Sequence, residues 1–158
     1  MDATIMELRD QQLSTLAMWE GVVDACPDCF WSLPDGPSPF WREAYHSVFW
    51  QHNYFGGSGC RLELRPFGKD IDPRLFAPIS GSADKEEMRS FGRQTREHIR
   101  SVSERLSPEE LAVVDEFEPG ERTTTLHRIL YGLRHSQHHI GKLTQQLTSS
   151  GIAVDNWQ

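Results

Sequence analysis

Residues 125–149 read TLHRILYGLRHSQHHIGKLTQQLTS, and this stretch decides the fold class of the chain. Its apolar residues recur every seven positions, at Leu126, Leu133, Ile140 and Leu147. Such a recurrence keeps apolar side chains on one face of an α-helix, and Gly151 is a residue type that commonly ends one. The stretch therefore predicts a long amphipathic helix from about Thr125 to about Ser149.

Three earlier segments, at about residues 3–24, 38–55 and 83–106, show the same helical periodicity. Each lies next to a residue that can cap a helix: Asp2, Ser38 or Ser82. Pro39, directly after Ser38, is favoured in the first turn of a helix. In the second segment apolar residues occur on more than one side, so we expect this helix to be buried between its neighbours.

The longest connection, at residues 56–80, contains Gly and Pro, and its RLELRPF run predicts at most one short strand. Ser107 and Pro108 signal a further helical turn, which Pro119 and Gly120 would stop. No stretch predicts a sheet. We therefore predict an all-α fold, a four-helix bundle with a long link between helices 2 and 3, as a single domain over residues 1–158.

Composition excludes several classes of protein. The net charge is −7, and the 16 basic residues are scattered, so we do not expect nucleic-acid binding as the main function. No run approaches the roughly 18 apolar residues that a membrane helix needs. The first residues, MDATIMELRD, carry acids where an export signal would carry Lys or Arg. We expect a cytoplasmic protein that binds no membrane.

Cys26 and Cys29 form a C-x-x-C motif. A thioredoxin-like site needs the first cysteine at a helix N-terminus, where the helix dipole lowers its pKa. Here the pair follows the C-terminal end of the first predicted helix, so we expect two reduced thiols in a Pro-rich turn. A zinc half-site that recruits Cys60 is the alternative.

Three of the seven histidines, His135, His138 and His139, cluster in the last helix. His135 and His139 are four residues apart, which places their Cβ atoms about 6 Å apart on one face, where both rings can bind one metal ion. His138 points about 100° away from His139. The pair also lies about 100–140° from the centre of the leucine stripe. We therefore expect it beside the main apolar seam, either in a cleft or facing water.

A third metal ligand must come from another helix, and His46 is our choice because it lies mid-helix in the aromatic stretch WREAYHSVFW. His52 and His98 are competitors. Glu43, one turn before His46, is expected to support it. The zincin motif is absent because Ser136 stands where it needs Glu, and no second Glu-x-x-His pair exists for a di-iron site.

Residues within one or two turns of a proposed ligand are candidates to line a pocket: Glu43, Trp50, Arg128 and Tyr131. Gly132 lies on the same face of the last helix. Because glycine has no side chain, its position there predicts room for a ligand to approach. No residue stands out as a general base.

With a central His in the second helix, His46, and H-x-x-x-H-x-G at residues 135–141, the chain resembles the DinB/YfiT-like family of metalloproteins over most of its length. The resemblance implies a four-helix bundle, a homodimer, and a divalent metal, most often zinc or nickel. The positions that match the family's three ligands are His46, His135 and His139. Lys142 is a departure, because the family often has Gln there, and it adds a charge near the motif.

The resemblance also implies a class of activity. Characterised family members include S-transferases that use low-molecular-weight thiols, and others are regarded as hydrolases. We therefore expect a metal-dependent enzyme with a small-molecule substrate, in which three imidazoles leave coordination positions open. The alternative is a non-catalytic, stress-related metal-binding or interaction domain.

Overall fold

A computed structural model describes residues 2–35, 38–55, 66–118 and 120–155. The described part is mostly helical. Its helices, in chain order, are α1 (Ala3–Ala25), α2 (Asp28–Trp31), α3 (Phe40–Tyr54), α4 (Lys85–Arg105), α5 (Pro108–Leu111) and α6 (Thr125–Ser149). Two antiparallel pairs of short strands join β1 (Pro34–Asp35) to β2 (Ser38–Pro39) and β3 (Val114–Glu118) to β4 (Glu121–Thr124).

The four long helices pack side by side around a shared apolar core. Helix α3 packs on α6 and α4, and α1 packs on the same two helices from the other side. Trp19 of α1 crosses the core and donates a hydrogen bond to the carbonyl of Ala44 in α3. Helix α3 is buried on nearly every side, as its sequence predicts. No helix in the described ranges is long and apolar enough to cross a membrane.

The helix starts partly differ from those expected. Asp2 caps α1 as predicted, and its carboxylate accepts from two backbone N–H groups. Ser38 does not cap α3, because it is paired with Asp35 in the β1–β2 ladder. Ser82 does not cap α4 either: Asp84 does, in a reciprocal capping box with Glu87 that satisfies two backbone donors.

The expectation that no sheet occurs was wrong in two places: β1 pairs with β2, and residues 114–124 form the β3–β4 hairpin. The helical turn predicted at Ser107 is present as α5, but it ends at Leu111. Gly120 has φ +84°, in the left-handed region that tight turns need and glycine tolerates. Thr125 at the start of α6 donates a backbone hydrogen bond to Val113, which ties the hairpin to that helix.

The described part of the long link is attached to α3 by side-chain hydrogen bonds. We call residues 71–77 the link segment. Three α3 residues on one helical face donate to its backbone carbonyls: Arg42 to Arg74 and Ala77, Tyr45 to Ile71, and His46 to Pro73. The short strand expected near residues 61–67 lies largely outside the described residues. The link segment therefore lies along the face of α3 that carries His46.

Candidate metal centre

The buried face of α6 differs from the leucine stripe predicted for it. Ile140 and Leu147 are buried, but Leu126 and Leu133 are only half-buried. The buried stripe instead contains Ile129, Gly132, Ser136, His139 and Leu143. The expectation that both histidines lie beside the seam was therefore wrong for His139, because small and polar residues, invisible to a hydrophobic pattern, occupy the seam.

Three imidazoles, those of His46, His135 and His139, converge between α3 and α6. The Nε2 atom of His135 lies 3.1 Å from Nε2 of His46 and 3.2 Å from Nε2 of His139. One ligand atom from each residue can be chosen so that all three lie within 4.8 Å of one another. The structure thus brings together the three residues that the sequence singled out.

The orientation of His46 is fixed from the link segment. Its Nδ1 atom lies 2.7 Å from the carbonyl oxygen of Pro73, which can only accept, so Nδ1 carries the proton. The lone pair of Nε2 is then directed at the other two imidazoles. Sequence reasoning missed Pro73 because a backbone carbonyl has no sequence signature.

His139 is oriented by a carboxylate. Its Nδ1 atom lies 2.6 Å from Oε1 of Glu43, which is buried on α3. Glu43 was expected to support His46, but it supports His139 instead, because its side chain reaches across to α6. The same oxygen also accepts from Nζ of Lys142 at 2.5 Å. The positive charge of Lys142 is therefore paired with Glu43.

Burial keeps the imidazoles of His46 and His135 neutral. Burial lowers the pKa of His46 to about 4, and burial together with the neighbouring imidazoles lowers the pKa of His135 to about 3. Burial raises the pKa of Glu43, but hydrogen bonds from His139 and Lys142 outweigh it and bring it to about 2. Neutral imidazoles beside an ionised carboxylate are the protonation states that metal binding requires.

The donor set fits a divalent metal ion. Three lone pairs that face one another repel unless a proton or a cation lies between them, and Nδ1 of His135 is buried without a hydrogen-bond partner among the described residues. A metal about 2.0–2.1 Å from each nitrogen requires N–N separations of about 2.8–3.4 Å, from octahedral to tetrahedral angles. The two short separations, 3.1 and 3.2 Å, lie within that range.

The competing histidines, His52 and His98, form a separate pair between α3 and α4. Their rings stack with centroids 3.9 Å apart and an interplanar angle of 14°. His52 Nδ1 lies 3.2 Å from the hydroxyl of Thr95. Stacked rings direct their nitrogens side by side rather than toward one point, and neither residue belongs to the three-histidine group.

The four predicted pocket candidates occupy different places. Glu43 is buried against His139, and Trp50 is buried with its ring 6.3 Å from that of His46. Arg128 and Tyr131 line a cleft of about 500 Å³ that the β3–β4 hairpin and α6 enclose. Tyr131 stacks on His135 with ring centroids 6.1 Å apart, so this cleft adjoins the histidine cluster.

Gly132 makes room for a side chain rather than for a ligand. A Cβ atom added there would lie 2.6 Å from Cβ of Tyr54 in α3, closer than such atoms approach. The ring of Tyr54 lies 5.8 Å from that of His135. The expectation of an open approach at Gly132 was therefore wrong, because α3 fills the space.

The C-x-x-C motif lies apart from the histidine cluster. Cys26 and Cys29 are free thiols, the first buried and the second exposed. Burial raises the pKa of Cys26 to about 12, which disfavours the thiolate that redox chemistry needs. Cys60 lies outside the described residues.

The chain was compared with known protein families and with curated proteins. Residues 11–143 match the sequence model of the DinB superfamily. The match covers most of α1, all of α3 and α4 and most of α6, and it includes all three clustered histidines. A search of curated proteins finds no match to the chain.

Proposed function

The chain belongs to the DinB superfamily, and we propose that it is a metal-dependent enzyme that binds one divalent ion through Nε2 of His46, His135 and His139. The observation that carries the proposal is the convergence of these three nitrogens while the Nδ1 atoms of two rings are held by acceptors. We further propose zinc or nickel as the ion and a four-helix bundle as the frame that positions the ligands.

A metal ion held by three neutral imidazoles lowers the pKa of a bound water or thiol and withdraws electrons from a bound electrophile. The chain's own residues hold the ligands for that task. Pro73 and Glu43 fix the ring orientations of His46 and His139, and Lys142 balances the charge of Glu43. Trp50 and Tyr131 place aromatic walls beside the cluster.

We propose that the reaction is transfer of a low-molecular-weight thiol to a small electrophile, or hydrolysis of a small ester or amide. Three protein ligands support this proposal, since a catalytic centre keeps a coordination position open whereas a structural zinc site is closed by four protein ligands. No fourth ligand joins the group among the residues that the structure describes. A homodimer remains a prediction from the resemblance.

Metal content tests the binding site. We expect about one equivalent of metal by elemental mass spectrometry in the wild-type protein after loading with zinc or nickel, and almost none in the His135→Ala/His139→Ala double variant. His138→Ala is the matched control, because this exposed histidine lies on the same helix but its ring is outside the group. Equal metal in the wild type and the double variant would contradict the site.

Activity separates the enzyme from the binding domain. Loaded protein is assayed for loss of free thiol, with cysteine and an activated aryl chloride, and for hydrolysis of a nitrophenyl ester. We expect one of the two activities to depend on metal and to be lost in His135→Ala while the helical circular dichroism is retained. Full metal occupancy without turnover in either assay would favour the non-catalytic metal-binding domain.

A further inference from the structure

Arg128 is a buried cation whose hydrogen-bonding capacity is only partly used. Its side chain is 2% exposed, and Nη1 donates to Oδ1 of Asp115 at 2.5 Å. Nε and Nη2 have no hydrogen-bond partner among the described residues, although both are shielded from solvent. These two atoms form one edge of the guanidinium, which presents two parallel N–H donors.

In an arginine with a purely structural role, the N–H groups of this edge would donate hydrogen bonds to acceptors within the protein. Buried donors in folded proteins nearly always have partners, and a charged donor is the least tolerant of lacking one. The ion pair with Asp115 explains how α6 holds the β3–β4 hairpin, but it uses only the opposite side of the guanidinium. The free edge therefore requires an acceptor other than Asp115.

The cleft that Arg128 lines has a charge opposite to that of the whole protein. Three arginines, Arg122, Arg128 and Arg134, lie along it, and Glu121 is the one acid among the described residues that line it. The chain as a whole has a net charge of −7. A local excess of guanidinium groups in an acidic protein favours an anion in this cleft.

Three aromatic residues, Tyr54, Phe117 and Tyr131, also line the cleft. Tyr54 and Tyr131 meet edge to face at 5.1 Å, and the ring of Phe117 lies 5.4 Å from Cζ of Arg128. Flat apolar walls beside a planar pair of donors match a molecule with a flat body and a planar acid group. A carboxylate accepts both parallel N–H groups at once.

We propose that this cleft binds the carboxylate of a small organic acid, with Arg128 as its bidentate partner and the tyrosines along its flat body. Arg128 and His135 are seven residues apart on α6, so they lie on one face and about 10 Å apart along the helix axis. A molecule of that length reaches the histidine cluster. That the bound carboxylate belongs to the substrate rests on the proposed metal-dependent function. That the cleft binds a carboxylate does not rest on it.

The test uses metal-free wild-type protein and benzoate as the probe, followed by ¹H–¹⁵N NMR including the arginine Nε–H signals. We expect saturable shifts at Tyr131 and at the Nε–H of Arg128, and binding of benzamide at least tenfold weaker, because the amide lacks the charge. Unshifted Arg128 and Tyr131 signals, or equal binding of benzamide, would overturn the proposal. Phosphate bound more tightly than benzoate would overturn the carboxylate class.

Two variants make the test specific. Arg128→Lys keeps the charge but loses the fork, so we expect benzoate affinity to fall at least tenfold. Arg93→Gln, which removes an exposed arginine paired with Glu86, should leave it unchanged. If Arg128→Lys does not fold, the wild-type Nε–H shift decides alone. Unaltered affinity in folded Arg128→Lys would refute the assignment.

The same titration on His135→Ala/His139→Ala separates this proposal from the metal site. We expect benzoate to bind this variant as it binds the wild type, since Arg128 and Asp115 are unchanged. Loss of binding only in this variant would overturn the proposal and assign the carboxylate to the histidine cluster. A protein that binds benzoate but never metal would refute the proposed metal-dependent function and leave the cleft assignment standing.

Discussion

Two groups of buried and half-buried histidines each include one residue of α3, and the groups differ in what their rings face. His46 meets His135 and His139 across the α3–α6 contact with nitrogens converging on one point, whereas His52 stacks flat on His98 across the α3–α4 contact. Burial is the largest cause of the lowered pKa of His46 and His135 in the first group and of His52 and His98 in the second. Burial and a lowered pKa therefore do not distinguish a metal site from a packed core pair.

The distinguishing feature is what holds the outer nitrogen. In the first group Pro73 and Glu43 accept from Nδ1 and leave Nε2 free to face its neighbours. In the second, Nδ1 of His52 faces the hydroxyl of Thr95, and the ring faces are used for stacking. An acceptor behind the ring and a convergent partner in front of it together indicate a ligand.

Removing one histidine from each group is the strongest test of the difference between the two groups. We expect His135→Ala to lose nearly all bound metal and to change the free energy of unfolding of the metal-free protein little. We expect His52→Ala to keep its metal and to lose about 2–4 kcal/mol of stability, because a buried ring leaves a cavity. Elemental analysis and urea unfolding give the two readouts, and the same phenotype in both variants would contradict the distinction.

Replacing the acceptor behind His139 sharpens the comparison. Glu43→Gln keeps a hydrogen-bond acceptor but removes the charge that makes His139 a stronger ligand. We expect metal affinity to fall about 10–100-fold with all three ligands retained. Competition with a chromophoric chelator measures the change, and Thr95→Val, which removes the neighbour of His52, serves as the control. An affinity unchanged by Glu43→Gln would show that the carboxylate has no part in binding.

The stacked pair of His52 and His98 should make the stability of the metal-free protein depend on pH. Burial, with a smaller contribution from His98, lowers the pKa of His52 from the ordinary 6.5 to about 3. Below pH 6.5 the unfolded chain therefore binds a proton that the folded chain refuses, and stability falls as the pH falls toward 3. We expect metal-free His52→Gln to lose about 1 kcal/mol less per pH unit than the wild type between pH 5.5 and 4. Urea midpoints across that range measure it, and parallel curves would refute it.

The smallest effect is expected at Lys142. Lys142→Gln removes a half-exposed cation that shares Oε1 of Glu43 with His139. Without it the carboxylate acts on His139 alone and no like charge lies near the metal, so affinity should rise. The rise should be about fivefold or less, since exposed ion pairs contribute about 1 kcal/mol at most. The chelator competition used for Glu43→Gln measures it, and weaker binding would contradict this account.

Periodicity was sufficient to predict the four long helices and the pairing of His135 with His139. The bounds of α6, Thr125–Ser149, match the prediction, since heptad leucines and Gly151 mark them in the sequence. His135 and His139 could be paired because a four-residue spacing on a helix fixes their relation. His46 was identified by its aromatic helix together with the family resemblance.

The remainder depended on contacts that no local pattern encodes. The seam of α6 contains Gly132 and Ser136, which are small enough for α3 to approach but do not read as apolar core. The acceptor from Pro73 and the reach of Glu43 to α6 exist only after α3, α6 and the link segment have packed together. The β3–β4 hairpin was missed because its polar strands show no core-facing alternation.

Gly132 gives the separation of two helices a chemical origin. An added methyl at Gly132 would collide with Cβ of Tyr54, close to the α3 backbone. The absence of a side chain at this position therefore allows α3 and α6 to approach this closely. Any larger residue would push α3 outward and carry His46 away from His135. Gly132 contacts no ligand, yet the absence of its side chain sets the distance between α3 and α6 and so the spacing of the three nitrogens.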